Sequence, residues 1–138
     1  MARLDKIHEA VKNALIKDGW TITHDPYTLF YERQQILIDL AGEKLFTAEK
    51  ENQKIAVEVK SFLSVAKMNE FYGAIGQYDV YSIYLEELEP ERKLFLAISE
   101  EIFRQFFERK AVQIVTQTKN IPIIVVDVKK EEVVEWIN

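Results

Sequence analysis

The sequence has 138 residues, of which 48% are hydrophobic, so it is long enough for one domain, residues 1–138, with a sizeable core. Because it has no cysteine and only two histidines, it excludes disulfide frameworks and thiolate zinc sites, and any metal would need oxygen ligands. A formal net charge of −5 gives no bulk attraction to nucleic acid, so we expect binding of phosphate to require a local basic patch and divalent cations.

The first predicted element is an amphipathic helix from Arg3 to Asp18, which Gly19 ends. Its apolar residues recur at three-and-four spacing, and they are Leu4, Ile7, Val11, Ala14 and Leu15. The segment is charged and has no apolar signal core, and no run in the sequence is long enough to cross a bilayer. We therefore expect a cytoplasmic protein.

Strands are predicted after this helix. The stretch WTITH, residues 20–24, alternates as a strand does, and Pro26 breaks it. The stretch QILIDLAG, residues 35–42, predicts a second strand that carries Asp39 among apolar residues. Residues 43–62 predict a hairpin with its turn at Lys50 to Gln53, which folds the region of Asp39 back toward Glu58.

The middle of the sequence predicts a long helix from about Val65 to Leu85. This segment has no proline and is apolar on nearly every side, which indicates a helix packed into the structure. Gly73 and Gly76 interrupt it. Because a glycine inside a helix costs roughly 1 kcal/mol relative to alanine, these two suggest close approach to a neighbour or a ligand.

The last third predicts further alternation of strands and helices. After a charged loop, EELEPE, we expect a strand at residues 92–99, a helix at 100–115, a buried strand at 121–128 and a short terminal helix at 129–138. Phe103, Phe106 and Phe107 are expected in the core. This order predicts the α/β class, as a sandwich with a central mixed β-sheet flanked by helices.

Two charged residues interrupt the apolar strand KIAVEVKSF, residues 54–62. Alternation places Ile55 and its apolar partners on one face and Glu58 with Lys60 on the other. Charge in a strand covered on both faces is costly unless something compensates it. Two interpretations remain open, which are a functional site and a simple ion pair on a half-exposed edge of the sheet.

The functional interpretation is metal-dependent cleavage of a phosphodiester. Mg²⁺ prefers carboxylate and water oxygens and usually takes one or two protein carboxylates, so we predict that Asp39 and Glu58 bind Mg²⁺ or Mn²⁺. The ammonium of Lys60 is suited to position the nucleophile or to stabilise the negative charge that develops. These three residues would also offset the unfavourable burial of one another's charge.

The helix that follows offers a polar face with little bulk. Gln77 and Tyr81 lie four residues apart, and Gly73 lies one turn earlier on the same face. We predict that Gln77 binds a nucleophilic water or a phosphate oxygen, and that Tyr81 and Gly73 contact substrate. The alternative is that Gln77 caps backbone groups and Tyr81 belongs to the core.

Taken together, these motifs resemble the PD-(D/E)xK nuclease superfamily, especially its RecB-like branch with a QxxxY motif. The residues that carry the resemblance are Asp39, Glu58, Lys60, Gln77 and Tyr81. It implies a restriction-endonuclease-like fold of a helix, a three-strand meander, a helix and a strand, which agrees with the predicted order over residues 1 to about 100. It also implies a Mg²⁺-dependent deoxyribonuclease site.

The sequence departs from this pattern in two places. Ile38 stands where the motif has proline before the aspartate, and the long span between Asp39 and Glu58 leaves Glu43 as a rival ligand. Glu9 on the first helix resembles the extra acidic residue that some members contribute, although it is equally consistent with a solvated charge.

A more specific resemblance covers the whole chain. The segments DGWTITHDPY, IAVEVKSF, AIGQYDVY and the ending VVEWIN are similar to the XisH family, the cyanobacterial controlling factors for excision of the fdxN element. This resemblance implies a role in programmed DNA rearrangement, with DNA, a small XisI-type protein and a separate site-specific recombinase as partners. A homodimer is also expected, because cleavage of both strands needs two sites. The alternative is a catalytically inactive regulator that works by binding the XisI-type partner or the recombination complex.

Overall fold

The structure is a computed structural model that describes residues 2–35 and 45–138. Its helices and strands, in chain order, are α1 (Ala2–Lys17), β1 (Thr21–His24), β2 (Phe30–Tyr31), β3 (Gln34–Gln35), β4 (Leu45–Lys50), β5 (Gln53–Val59), α2 (Lys67–Leu88), β6 (Arg92–Ser99), α3 (Glu100–Ile102), a π-helical turn (Phe103–Phe107), α4 (Lys110–Thr118), β7 (Ile123–Asp127) and β8 (Glu132–Ile137). Nearly all of the strand predicted at residues 35–42 lies outside the described residues.

Six strands form a mixed sheet in the order β1-β4-β5-β6-β7-β8, and β2 pairs with β3 in a separate two-stranded ribbon. The pairs β5–β6 and β6–β7 are parallel, whereas β1–β4, β4–β5 and β7–β8 are antiparallel. The helical segments after β5 and β6 supply the crossovers that parallel neighbours need. The prediction of an α/β sandwich around a mixed sheet is therefore confirmed.

Helix α1 packs on one face of the sheet, as its spacing predicts. The buried residues of this core layer are Val11, Ala14, Leu15, Trp20, Phe46, Ala48, Ile55, Val57, Val59, Phe95, Ala97, Ile124 and Val126. Gly19 ends α1 with a φ of +94°, a conformation that side-chain-bearing residues rarely adopt, and Trp20 N then donates to Leu15 O. The chain can thus turn directly from the helix into β1.

The predicted hairpin is confirmed in its position and register. Strands β4 and β5 pair from Lys50 opposite Gln53 at the turn to Leu45 opposite Glu58 at the far end. Glu51, in the turn, has a φ of 56°. Strand β5 lies between β4 and β6, so it is an interior strand of the sheet.

Helix α2 packs on the opposite face of the sheet from α1, but only one of its sides is covered. Its buried residues are Phe71, Ala74, Tyr81 and Leu85, whereas Tyr72, Val80 and Ile83 are exposed. The expectation of a neighbour close to Gly73 and Gly76 is wrong within the described part of the chain, because a Cβ built on either would meet nothing within 4 Å.

The single helix predicted at residues 100–115 is wrong in its continuity. Ser99 caps α3 by accepting a hydrogen bond from Ile102 N, and the chain then widens into the π-helical turn, in which Glu108 N donates to Phe103 O. This wider turn lets the consecutive residues Phe106 and Phe107 both enter the core. Helix α4 starts only at Lys110.

The short terminal helix predicted at residues 129–138 is also wrong, because this segment forms β8. The register between β7 and β8 shifts so that Val126 lies opposite Val133 and Val125 opposite Glu135, which leaves Val134 as an extra residue. Because of this bulge, Val133 and Trp136 both pack against the α1 side of the core despite their spacing of three. The bulge therefore produces a spacing that a helix also has.

None of the helices in the described ranges is long and apolar enough to span a membrane.

Candidate metal-dependent active site

The candidate site begins at the end of β5, on the face of the sheet that α2 covers. Ala56 packs with Leu45 and Tyr81 on this face, while Val57 packs with α1 on the other. Glu58 follows the alternation to the α2 face and is only 3% exposed. Because Glu58 is buried in an interior strand, the half-exposed sheet edge assumed for a simple ion pair is wrong, although Glu58 and Lys60 do form an ion pair.

Lys60 lies one position beyond the end of β5. Its backbone N donates to Ala97 O at 3.0 Å, so the chain still follows β6 at this point. Its side chain is 11% exposed, and Nζ lies 3.6 Å from Glu58 Oε2. The extended backbone thus returns Lys60 to the same face as Glu58.

Helix α2 brings the third predicted residue to this pair. Lys60 Nζ donates a hydrogen bond to Gln77 Oε1, so one ammonium contacts both a carboxylate and an amide oxygen. Glu58, Lys60 and Gln77 are therefore together in the structure, as the sequence predicts, although their roles in catalysis stay predictions. A buried carboxylate beside a fixed ammonium forms a preorganised charged site.

Tyr78 belongs to the same neighbourhood, and the sequence analysis missed it. Its hydroxyl donates to Leu94 O at 3.1 Å. Burial, together with the negative charges of Asp79 and Glu58, raises the pKa of Tyr78 to about 12, so the phenol is neutral at physiological pH. No spacing in the sequence pointed to Tyr78, because adjacent positions on a helix do not share a face.

The two predicted substrate contacts lie in contrasting environments. Tyr81 is only 2% exposed and packs with Leu29, Leu85 and Leu94, which matches the alternative that it belongs to the core. Gly73 is exposed on α2. Stacking of Tyr81 on a base would require a large movement of its ring, so its contribution in this conformation is to hold α2 against the sheet.

Asp39 and Glu43, the other carboxylates predicted for the site, lie outside the described residues. The part that is described fits a Mg²⁺ site in its chemistry, because Glu58 supplies a hard carboxylate oxygen and Mg²⁺ usually needs only one or two such ligands in addition to water and phosphate. Lys60 adds the positive charge that a phosphate-binding site requires.

Glu9, predicted as a possible further ligand, lies in a different cluster on α1. Ligand atoms of His8, Glu9 and Asp25 lie within 4.8 Å of one another. However, Lys12 Nζ lies 3.2 Å from Glu9 Oε2 and 2.5 Å from Asp25 Oδ2, so its single positive charge already pairs with these two carboxylates. His8 Nε2 contacts Asp25 Oδ1 at 3.0 Å. These contacts fasten α1 to the segment after β1.

Comparison with known proteins identifies relatives of this chain. The model of the family described as XisH protein matches residues 1–134. The crystal structure of a fdxN element excision controlling factor protein from Anabaena variabilis shares 39% identity with the chain over 97% of this chain and 99% of that one, with a TM-score of 0.88.

An XisH family protein from Nostoc punctiforme PCC 73102 is similar to the same degree. It shares 37% identity over 96% of this chain and 99% of that one, with a TM-score of 0.87. No curated protein has significant similarity to the sequence.

Proposed function

This chain belongs to the XisH family, and on that premise we propose a function in two parts. The protein is a controlling factor in the programmed excision of a DNA element, and it acts in this process as a Mg²⁺-dependent DNA endonuclease. The observation that supports the nuclease most directly is the contact of Lys60 with both Glu58 and Gln77. These groups come from a strand and a helix that are distant in sequence, yet they meet on one buried face. Apolar residues would pack at these positions at least as well as the charged groups do, so packing does not account for the charges.

Glu58 and Asp39 would hold the metal ion. When bound, Mg²⁺ supplies a positive charge next to the scissile phosphate and lowers the pKa of a coordinated water. The described residues supply the remaining functions. Glu58 presents its carboxylate from a rigid interior strand, which limits the reorganisation that ligand binding requires.

Lys60 and Gln77 act on the nucleophile and the phosphate. The Lys60 ammonium, held at 3.6 Å from Glu58, stabilises the negative charge that develops on a phosphate oxygen. Gln77 accepts from Lys60 through Oε1, and this contact orients its amide so that the NH₂ group can donate to a water or a phosphate oxygen. Tyr78 stays neutral and, through its bond to Leu94 O, fixes α2 against β6.

A second candidate function is a catalytically inactive regulator that keeps this fold to bind an XisI-type protein or the recombination complex. Two observations favour it. The net charge of −5 opposes binding of DNA in the absence of cations, and the similar protein from Anabaena variabilis is named a controlling factor rather than a nuclease.

The decisive experiment measures DNA cleavage by the purified protein on linear, circular and branched substrates. Each substrate is incubated with Mg²⁺, Mn²⁺ or EDTA, and with or without an XisI-type protein. Glu58→Gln and Lys60→Met test the site, because each removes a charge and nearly preserves the volume of the side chain. Glu135→Gln on β8 and Lys93→Met on β6 are the controls, because each removes an exposed charge from another strand of the same sheet.

The nuclease predicts metal-dependent cleavage that both site variants lose and both controls retain. A circular dichroism spectrum and a thermal midpoint for each variant show whether the protein remains folded. If folded wild type cleaves nothing under any condition, while it forms a metal-independent complex that Lys60→Met retains, the regulator is correct and the nuclease is wrong.

A further inference from the structure

Helix α2 carries an exposed row of residues, of which only Gly73 was predicted to contact substrate. The row consists of Asn69, Gly73, Gly76, Val80, Ile83 and Glu87, and all six are exposed. We call this row the α2 seam. Its successive spacings are four, three, four, three and four residues, which is the heptad spacing by which one helix packs along another. Tyr72, which is also exposed, flanks the seam beside Gly73.

The two glycines are the unusual feature of the seam. Each destabilises the helix relative to alanine, and neither has an intramolecular reason among the described residues, because a Cβ at either position would meet nothing within 4 Å. What glycine provides here is a shallow notch on the helix surface, into which a side chain from another molecule can reach the backbone.

The side chains that fit these notches lie in the same seam. Because the spacing reads the same from both ends, a second copy of α2 laid antiparallel across the first places Ile83 opposite Gly73 and Val80 opposite Gly76. Each glycine notch therefore receives a branched aliphatic side chain, and the two-fold axis repeats both contacts. We propose that the α2 seam is the interface of a homodimer in which two α2 helices pack antiparallel.

The distribution of charge favours the antiparallel orientation. The last turn of α2 contains Glu86 and Glu87 and no basic residue, although the carboxyl end of a helix carries a partial negative charge. At the other end, Lys67 and Glu70 offset one another's charge in the first turn, and Ala66 provides no side-chain cap, so the partial positive charge of the helix end remains. An antiparallel partner places each pair of glutamates beside the positive end of the other helix, where they are favourable.

Sedimentation equilibrium tests this proposal by measuring the mass of the purified protein at protein concentrations from low micromolar to several hundred micromolar. We expect a monomer–dimer equilibrium in the wild type and a monomer in Ile83→Glu over the same range. Ile114→Glu is the matched control, because Ile114 on α4 is 65% exposed and Ile83 is 64% exposed. This control should dimerise as the wild type does.

Gly76→Gln separates an interface from a merely exposed helix. If the seam only faced solvent, replacing a helical glycine would raise the thermal midpoint and change nothing else. In the proposed dimer the same substitution fills the notch that Val80 occupies, so the midpoint of the monomer rises while dimerisation weakens by about tenfold or more.

Cross-linking determines the orientation. The chain has no cysteine, and Asn69 and Glu87 lie about 27 Å apart along one helix, too far for an intramolecular disulfide. Asn69→Cys/Glu87→Cys should therefore form a covalent dimer on oxidation, whereas neither single variant should. A wild type that stays monomeric, a dimer that Ile83→Glu leaves intact, or cross-linking by the single variants alone would each overturn the proposal.

Discussion

Replacing Lys60 tests whether Glu58 and Lys60 form a buried charge pair that leaves the protein no more stable than apolar residues at the same two positions would. At 3.6 Å and an effective dielectric constant of about 20, two unit charges attract one another by about 5 kcal/mol. Desolvation offsets much of that energy in the wild type. In Lys60→Met, however, the carboxylate stays buried without the ammonium, so we expect a loss of about 3 kcal/mol in the free energy of unfolding.

The same reasoning predicts that removing both charges restores stability. Glu58 pairs across the sheet with Leu45 on β4 and Leu96 on β6, so Glu58→Leu would place a leucine between two others. The double variant Glu58→Leu/Lys60→Met should therefore unfold within about 1 kcal/mol of the wild type. It should have no nuclease activity, since both charged groups are gone.

Equilibrium unfolding in guanidinium with EDTA present measures these differences, and the fluorescence of Trp20 and Trp136 reports the transition. For a domain of this size, 3 kcal/mol corresponds to about 10 °C in thermal midpoint. Lys93→Met controls for loss of an exposed lysine and should stay within about 0.5 kcal/mol of the wild type. A similarly small change in Lys60→Met, or a double variant as unstable as the two single losses added together, would refute the reasoning.

Three further predictions concern the metal, a buried arginine and acid stability. Mg²⁺ at ten times its dissociation constant should stabilise the wild type by about 1.4 kcal/mol over EDTA. Thermal denaturation should show this effect lost in Glu58→Gln and retained in Glu135→Gln. Arg92→Leu should lower the free energy of unfolding in denaturant by about 3 kcal/mol, because the Arg92 side chain is 5% exposed and bonds two carboxylates and a backbone carbonyl. As a control, Arg104→Leu should change the free energy of unfolding little, because it removes an ion pair from a side chain that is 70% exposed. Burial opposes ionisation of Asp25, but its hydrogen bonds to lysine and histidine outweigh burial and hold the pKa of Asp25 below its ordinary 3.8. The stabilising effect of the Asp25 carboxylate is therefore fully present above its ordinary pKa of 3.8 and is lost as the pH falls through the lower pKa of the folded state. Unfolding measured over a pH series should show the stabilities of wild type and Asp25→Asn converging below about pH 4. An equal difference between them at all pH values would contradict this.

The meeting of Glu58, Lys60 and Gln77 was predictable because it depends on strand alternation and helical spacing. These two periodicities place Glu58 and Lys60 on one face of β5, and Gln77 on the helix that follows. The structure then brought the three together, since α2 crosses the same face. The motif did not indicate that the negative charge of Glu58 also raises the pKa of Tyr78, because that effect depends on how α2 is rotated against β6.

The secondary structure of the last third was harder to predict. The bulge at Val134 gives β8 a spacing of three between Val133 and Trp136, which a helix also produces. Only the open edge of β7, whose backbone groups need partners, determines that this segment is a strand. The π-helical turn likewise depends on packing, because it brings Phe106 and Phe107 into one core.

The sequence by itself determined the elements whose cause is local: the end of α1 at Gly19, the hairpin of β4 and β5, and the two faces of β5. Backbone conformation and side-chain periodicity act over a few residues, so they can be read without a fold. Tertiary structure decided what each face meets. It placed Glu58 in an interior strand rather than at an edge, and it left Gly73 and Gly76 facing outward, because burial and exposure depend on elements that are distant in sequence.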